Sequence, residues 1–171
     1  MHLRPALPSD AAVLARLGRD AFVAKFGHLY RPEDLAAFLA ESHSEAKVAS
    51  EIADPGMAVM LAERDGTLVG MCKLVLDSSL REHGTAKRPL ELKQLYTAAG
   101  QTGGGIGKAL MDWALDHARG HGADEVQLSV WSGNEGAQRF YARYGFARIA
   151  DISFWVGNHR DDEFLFALPL R

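Results

Sequence analysis

Gln101-Thr102-Gly103-Gly104-Gly105-Ile106-Gly107-Lys108-Ala109-Leu110-Met111-Asp112-Trp113-Ala114-Leu115 joins a strand-like run, Glu91 to Thr97, to an amphipathic helical pattern. Glycine at 103, 104, 105 and 107 lets backbone N–H groups approach a ligand with no Cβ in the way. A helix directly behind it adds unpaired N–H donors and the positive end of its dipole. Strand, glycine turn and helix together make an anion cradle, most often for phosphate or pyrophosphate.

Spacing separates the candidate loops. A P-loop needs glycine where Thr102 stands, and Ser or Thr where Ala109 stands. The dinucleotide fingerprint needs a small third residue, but counting from either glycine pair lands on Lys108 or Leu110. What remains is x-Gly-x-Gly-Ile-Gly-Lys opening a helix, the form of loop that cradles the pyrophosphate of coenzyme A. A glycine-rich turn with no ligand is the other reading of this stretch.

The 171 residues suit one domain, 1–171, with a full core and no internal repeat. A net charge of −3 and a pI near 6.1 supply no basic field, which counts against nucleic acid as a partner. The single Cys72 lies in an apolar run, so it reads as a buried thiol and offers neither an intramolecular disulfide nor a zinc cluster. None of the His residues falls into a metal-spaced cluster, and no metal is expected. Arg4 and Pro5 so near the start argue against a signal peptide, and no run approaches a membrane span. The expectation is a cytoplasmic protein, reduced and away from membranes.

Working outward from the loop, Leu3–Leu7 reads as a short strand and 10–26 as a helix carrying Val13, Leu14, Leu17, Phe22 and Phe26 on one stripe. A second helix opens at Pro32 and continues toward Ile52, and Asp54-Pro55-Gly56 breaks it. From Met57 the period becomes extended: two strands surround Arg64-Asp65-Gly66, a polar loop covers 77–88, and Leu90–Thr97 feeds the glycine loop. After the loop's helix come a strand at 125–131, a helix from Glu135 capped by Asn134, and strands at 146–156 and 163–168. This order predicts an α/β (α+β) fold, a mixed and mostly antiparallel sheet of about seven strands with about four helices on its two faces. Edge strands of such a sheet could pair two chains as a homodimer.

Two stretches together resemble the Gcn5-related N-acetyltransferase (GNAT) family. One is Leu95-Tyr96-Thr97 through Gly103-Gly-Gly-Ile-Gly-Lys-Ala-Leu110. The other is Asn134-x-x-Ala137-x-x-Phe140-Tyr141-x-x-x-Gly145-Phe146. The resemblance covers roughly 57–168 and implies direct acetyl transfer from acetyl-CoA to an amine. It implies that strands 90–97 and 125–131 splay around pantetheine, with backbone groups of Leu95, Tyr96 and Thr97 bonding its amides. N–H groups of Thr102, Gly103, Gly104, Gly105, Ile106, Gly107 and Lys108 would hold the pyrophosphate. Asn134 would bond the cofactor, and Tyr141 would give a proton to the leaving thiolate.

The chemistry suits those roles. A thiolate of pKa near 8.5 gains from a positioned donor, which a phenol near 10 can be. Carbonyl oxygen gains charge in the transition state, so a strand N–H near Tyr96 or Thr97 would lower the barrier. The attacking amine must lose a proton, and Glu91, whose strand runs into the acetyl site, is the candidate base, acting through a water; a solvated carboxylate paired with Lys93 is the alternative. Thr102 departs from the family's Arg or Gln at the first loop position, so weaker cofactor binding is expected, with Lys108 or Arg143 supplying positive charge.

A narrower resemblance, to PaiA-like spermidine/spermine acetyltransferases, lies in Phe22–Phe26, Pro32–Leu39, Trp131–Ala137 and Phe154–Gly157, and implies a polyamine acceptor. Phe22, Phe26 and Tyr30 would line the acceptor pocket or simply fill the core, and His28 would face the acceptor or solvent. Asp161-Asp162-Glu163 would attract a cation or form a solvated turn. The alternatives are another small amine, a peptide or protein amine as acceptor, or a non-catalytic acyl-CoA-binding module.

Overall fold

The computed structural model describes residues 1–101 and 103–171. The hairpin at Asp65-Gly66 joins β2 (Met57–Arg64) to β3 (Thr67–Val75), and β1 (His2–Pro5) and β4 (Pro89–Thr97) pair antiparallel on either side. β5 (Glu125–Trp131) runs parallel to β4, and β7 (His159–Pro169) inserts between β5 and β6 (Ala147–Val156). The sheet order is therefore β1-β2-β3-β4-β5-β7-β6.

Alternation along the strands sends side chains to two separate cores. On one face Leu110, Met111 and Ala114 of α4 (Ile106–His121) pack onto Cys72, Leu74, Leu90, Val126 and Leu128. Ala137, Phe140 and Tyr141 of α5 (Glu135–Arg143) extend that core toward β5. On the other face Leu14 and Ala15 of α1 (Ala11–Phe26) and Val48 of α3 (Glu45–Ala53) cover Val59, Leu61 and Met71. A small aromatic core of Phe22, Phe38 and Val156 ties α1 and α2 (Pro32–Ser42) to β6. Complete burial of Leu14, Leu61 and Leu110 contributes about 2 kcal/mol each.

Gly70 seats α4 on the sheet: a Cβ there would lie 2.6 Å from Ile106 Cγ2 and 3.0 Å from the Tyr96 carbonyl. The helical segment expected to continue toward Ile52 is divided at His43-Ser44. There the Ser44 hydroxyl accepts from the Lys47 N–H at 3.1 Å and caps α3 as a helix of its own. The last strand begins at His159, earlier than its apolar run suggested. Only Gly157 and Asn158 are needed for the turn, because Val156 pairs with His159 and Phe154 with Asp161. Among the described residues no helix is long and apolar enough to cross a membrane.

Candidate active site

β4 and β5 pair only at Pro89–Glu125, Leu90–Val126 and Glu91–Gln127. Beyond Glu91 the strands diverge, and a cleft of about 1040 Å³ opens between them, lined from both faces of the sheet. A β-bulge sits at the same place. The β3 ladder steps from Gln94 to Leu92 across Lys73 and Leu74, leaving Lys93 outside the register. The Lys93 ammonium lies 3.5 Å from Glu51 Oε2, and the fully buried Lys73 ammonium 2.7 Å from Glu51 Oε1.

Leu95, Tyr96, Thr97, Glu91, Asn134 and Tyr141 all line this cleft, so the structure brings these candidates together. Glu91 is 9% exposed, and its Oε1 accepts from the Ser79 N–H at 3.0 Å and the Ser79 hydroxyl at 2.6 Å. It pairs with Ser79, not with Lys93. Asn134 Oδ1 is engaged as the α5 N-cap, accepting from the Ala137 N–H at 3.2 Å. The Tyr141 ring packs edge-on to Phe140 and Phe146, and loss of solvation pushes its phenol well above the ordinary range. Tyr96 is raised in the same way, with Tyr141 and Glu163 adding to the effect.

The glycine loop leaves the end of β4 and turns into α4 at Gly105, whose φ of +75° only glycine adopts without strain. Gly103 also has positive φ, and a Cβ at either position would meet nothing within 4 Å, whereas one at Gly104 would lie 3.0 Å from the Arg64 guanidinium. Ile106, Gly107 and Lys108 occupy the first turn of α4, where no i−4 carbonyl is available to their N–H groups. Thr102 lies outside the described residues.

Of the two expected cations, Lys108 in the first turn of α4 holds its ammonium 2.6 Å from Asp112 on its own helix, and Arg143 is exposed over the ring of Phe140, whose Cζ would lie 3.6 Å from a Cβ at Gly107. Arg64 also reaches the loop: its guanidinium donates to Gln101 Oε1 and to the Gly104 carbonyl, both at 3.3 Å. Nothing in the local sequence signals this contact, since Arg64 ends β2 and is brought over the loop by strand order.

The opposite wall was only partly legible. Phe22, Phe26 and Tyr30 line the cleft as well as the aromatic core, whereas His28 is exposed and off the lining. The solvated-turn reading of Asp161-Asp162-Glu163 is corrected. These residues belong to β7, where period two turns Asp161 (7% exposed) and Glu163 (9%) inward and leaves Asp162 outside. The Tyr30 hydroxyl donates to Asp161, and His159 Nε2 lies 3.2 Å from the same carboxylate. Glu163 accepts from the Ser129 hydroxyl at 3.4 Å on Oε1, while its Oε2 is buried with no hydrogen-bond partner among the described residues. Burial first, and Asp161 second, push Glu163 up to about 7 against the pull of Ser129.

A parallel pair that splays beside a glycine-bordered helix defines an acyltransferase-type site, and residues 21–146 match the Acetyltransferase (GNAT) family. The chain belongs to that family and is an N-acetyltransferase. It is 33% identical over 156 residues to an uncharacterized N-acetyltransferase of Lactobacillus delbrueckii subsp. lactis, covering 91% of this chain and 90% of that one. It is 32% identical over 162 residues to an uncharacterized N-acetyltransferase of Mycobacterium tuberculosis, covering 95% and 99%. The PaiA N-acetyltransferase from Thermoplasma acidophilum, solved in complex with coenzyme A, superposes with a TM-score of 0.81 over 99% of this chain and 98% of that one. At 22% identity this similarity is one of fold.

Proposed function

We propose that this protein moves the acetyl group of acetyl-CoA directly to a primary amine on a small cationic acceptor, polyamines such as spermidine and spermine being the class that fits best. The observation that carries the reading is the shared cleft: inward-facing Asp161 and Glu163, with Tyr30 beside them, stand in the same space as Tyr96, Glu91 and Tyr141. Carboxylates attract the acceptor's ammonium groups, and aromatic faces favour a cation and pack on its methylenes.

The residues present fit the acyl donor. The first-turn N–H groups of Ile106, Gly107 and Lys108, with the open positions at Gly103 and Gly105, suit a pyrophosphate. The gap between β4 and β5 suits an extended pantetheine arm, with Leu95, Tyr96 and Thr97 offering strand N–H and carbonyl groups. Bound there, acetyl-CoA supplies an activated thioester carbonyl. A β4 N–H near the Lys93 bulge stabilises charge developing on the carbonyl oxygen. The Tyr141 phenol, raised by burial, stays protonated at neutral pH and holds its proton for the departing sulfur. Glu91, fixed by Ser79, takes a proton from the attacking nitrogen through a water.

A thiol-release assay across spermidine, spermine, amino acids, aminoglycosides and N-terminal peptides tests the reading. Saturable turnover on polyamines supports it, and turnover confined to peptides replaces the acceptor.

A further inference from the structure

Acetylation of an ammonium group removes two protons from nitrogen. RNH3⁺ must first become RNH2; a second proton leaves as the C–N bond forms and the C–S bond breaks. One of the two ends on coenzyme A as the thiol, and the other reaches solvent. Glu91 and Tyr141 account for the second proton, passed from nitrogen toward sulfur. No residue named so far handles the first.

We propose that Glu163 is the group that takes this first proton, converting the bound ammonium to the free amine nucleophile. The inference rests on the amine-transfer reading above. Its geometric basis is independent of that reading. Glu163 is 9% exposed, lines the cleft on β7 beside the diverging end of β5, and keeps Oε2 buried without a hydrogen-bond partner among the described residues. A buried carboxyl oxygen bonded to nothing, on a residue that lines a cavity, is costly unless a ligand or a proton completes it.

Its surroundings are arranged for exchange. Asp161 on β7 repels a second negative charge, Tyr30 and Tyr96 are protonated phenols within its field, and the Ser129 hydroxyl on β5 steadies Oε1. The cationic groups around this wall are engaged or neutral: Lys93 on β4 faces Glu51, His159 on β7 faces Asp161, Lys25 on α1 lies 5.9 Å over the Phe26 ring, and His43 beside Tyr96 is held neutral by burial. Burial and Asp161 push Glu163 up to about 7, where a carboxylate is a far stronger base than at its ordinary pKa. The proton passes from nitrogen to Oε2 and returns to solvent after product leaves, so the cycle balances.

Two readouts on the intact protein test this. Carboxyl-labelled glutamate followed by NMR without any ligand should give one resonance titrating near 7 that vanishes in Glu163→Gln. With spermidine as probe, kcat/KM should rise through an acidic limb near pH 7. Glu163→Gln should lose that limb and roughly 10²-fold of rate, with coenzyme A binding unchanged. Glu91→Gln should lose rate but keep the limb, and Glu163→Asp should recover part of the rate. An acidic limb that persists in Glu163→Gln, or disappears in Glu91→Gln, overturns the assignment, as does a titration of Glu163 in the ordinary carboxylate range. A wild-type protein silent on every amine would instead strike down the amine-transfer reading.

Discussion

Ser79 gives both its N–H, at 3.0 Å, and its hydroxyl, at 2.6 Å, to the same oxygen of Glu91. The contact ties the loop between β3 and β4 to the last paired residue of β4, at the point where the parallel strands part. Ser79→Ala removes the hydroxyl donor and leaves the N–H. The expected result is a drop in kcat of about tenfold, corresponding to about 1.4 kcal/mol of transition-state stabilisation. Coenzyme A affinity should not change. Steady-state kinetics with calorimetric binding would separate the two.

Tyr141 is packed by Phe140 and Phe146, and its phenol touches the cleft. Tyr141→Phe keeps the ring contacts and deletes the proton donor. Turnover should fall by roughly 10²-fold or more, while thermal stability and coenzyme A binding stay near wild type. Unchanged turnover would remove Tyr141 from the chemistry.

Arg64 holds the glycine loop through Gln101 and the Gly104 carbonyl, at bond lengths of 3.3 Å that indicate modest strength. Arg64→Ala should weaken coenzyme A binding by about three- to tenfold, or about 1 kcal/mol, by loosening the loop. Titration calorimetry would check it, with Lys108→Ala as the comparison, since Lys108 is already paired with Asp112.

Two buried groups pull the pH dependence of stability in opposite directions. His43 is 1% exposed with both ring nitrogens unpartnered among the described residues, and burial, then Lys73, push it down to about 4. Between pH 6.5 and about 4 the unfolded chain binds the extra proton, so His43 costs stability as pH falls through that window. Glu163 is raised from 4.5 to about 7, so the folded chain binds the extra proton there and stability is lost as pH rises through that window. The slopes oppose each other over most of the shared range. Glu163→Gln should therefore expose the histidine slope, with stability climbing from pH 4 to 6.5. The variant's gain over wild type should grow toward pH 8, reaching about 3 kcal/mol at most. His43→Leu should show the reverse trend. Denaturant melts at several pH values would reveal both, and parallel profiles for wild type and variants would contradict them.

Local chemistry made the glycine loop, the Asn134 cap and the Phe140-Tyr141 segment readable, because each is a short-range pattern within one or two elements. The strand order was less accessible. β7 lies between β5 and β6, and only that insertion turns Asp161 and Glu163 into a cleft wall. Read along the chain, three consecutive acidic residues beside Gly157-Asn158 look like a polar turn, and nothing local reveals that a strand's alternation buries two of them. Arg64 and Ser79 were invisible for the same reason, since their partners are 40 and 12 residues away. The position of Arg143 over the Phe140 ring, which lies against Gly107, follows from how α5 packs on α4 and not from its own helix alone.

The most direct measurement is thiol release from acetyl-CoA by the wild-type protein with spermidine or spermine at pH 8. Saturable turnover with formation of the N-acetylated polyamine is the predicted result. Coenzyme A binding without turnover on any amine, polyamines included, would contradict the proposed function.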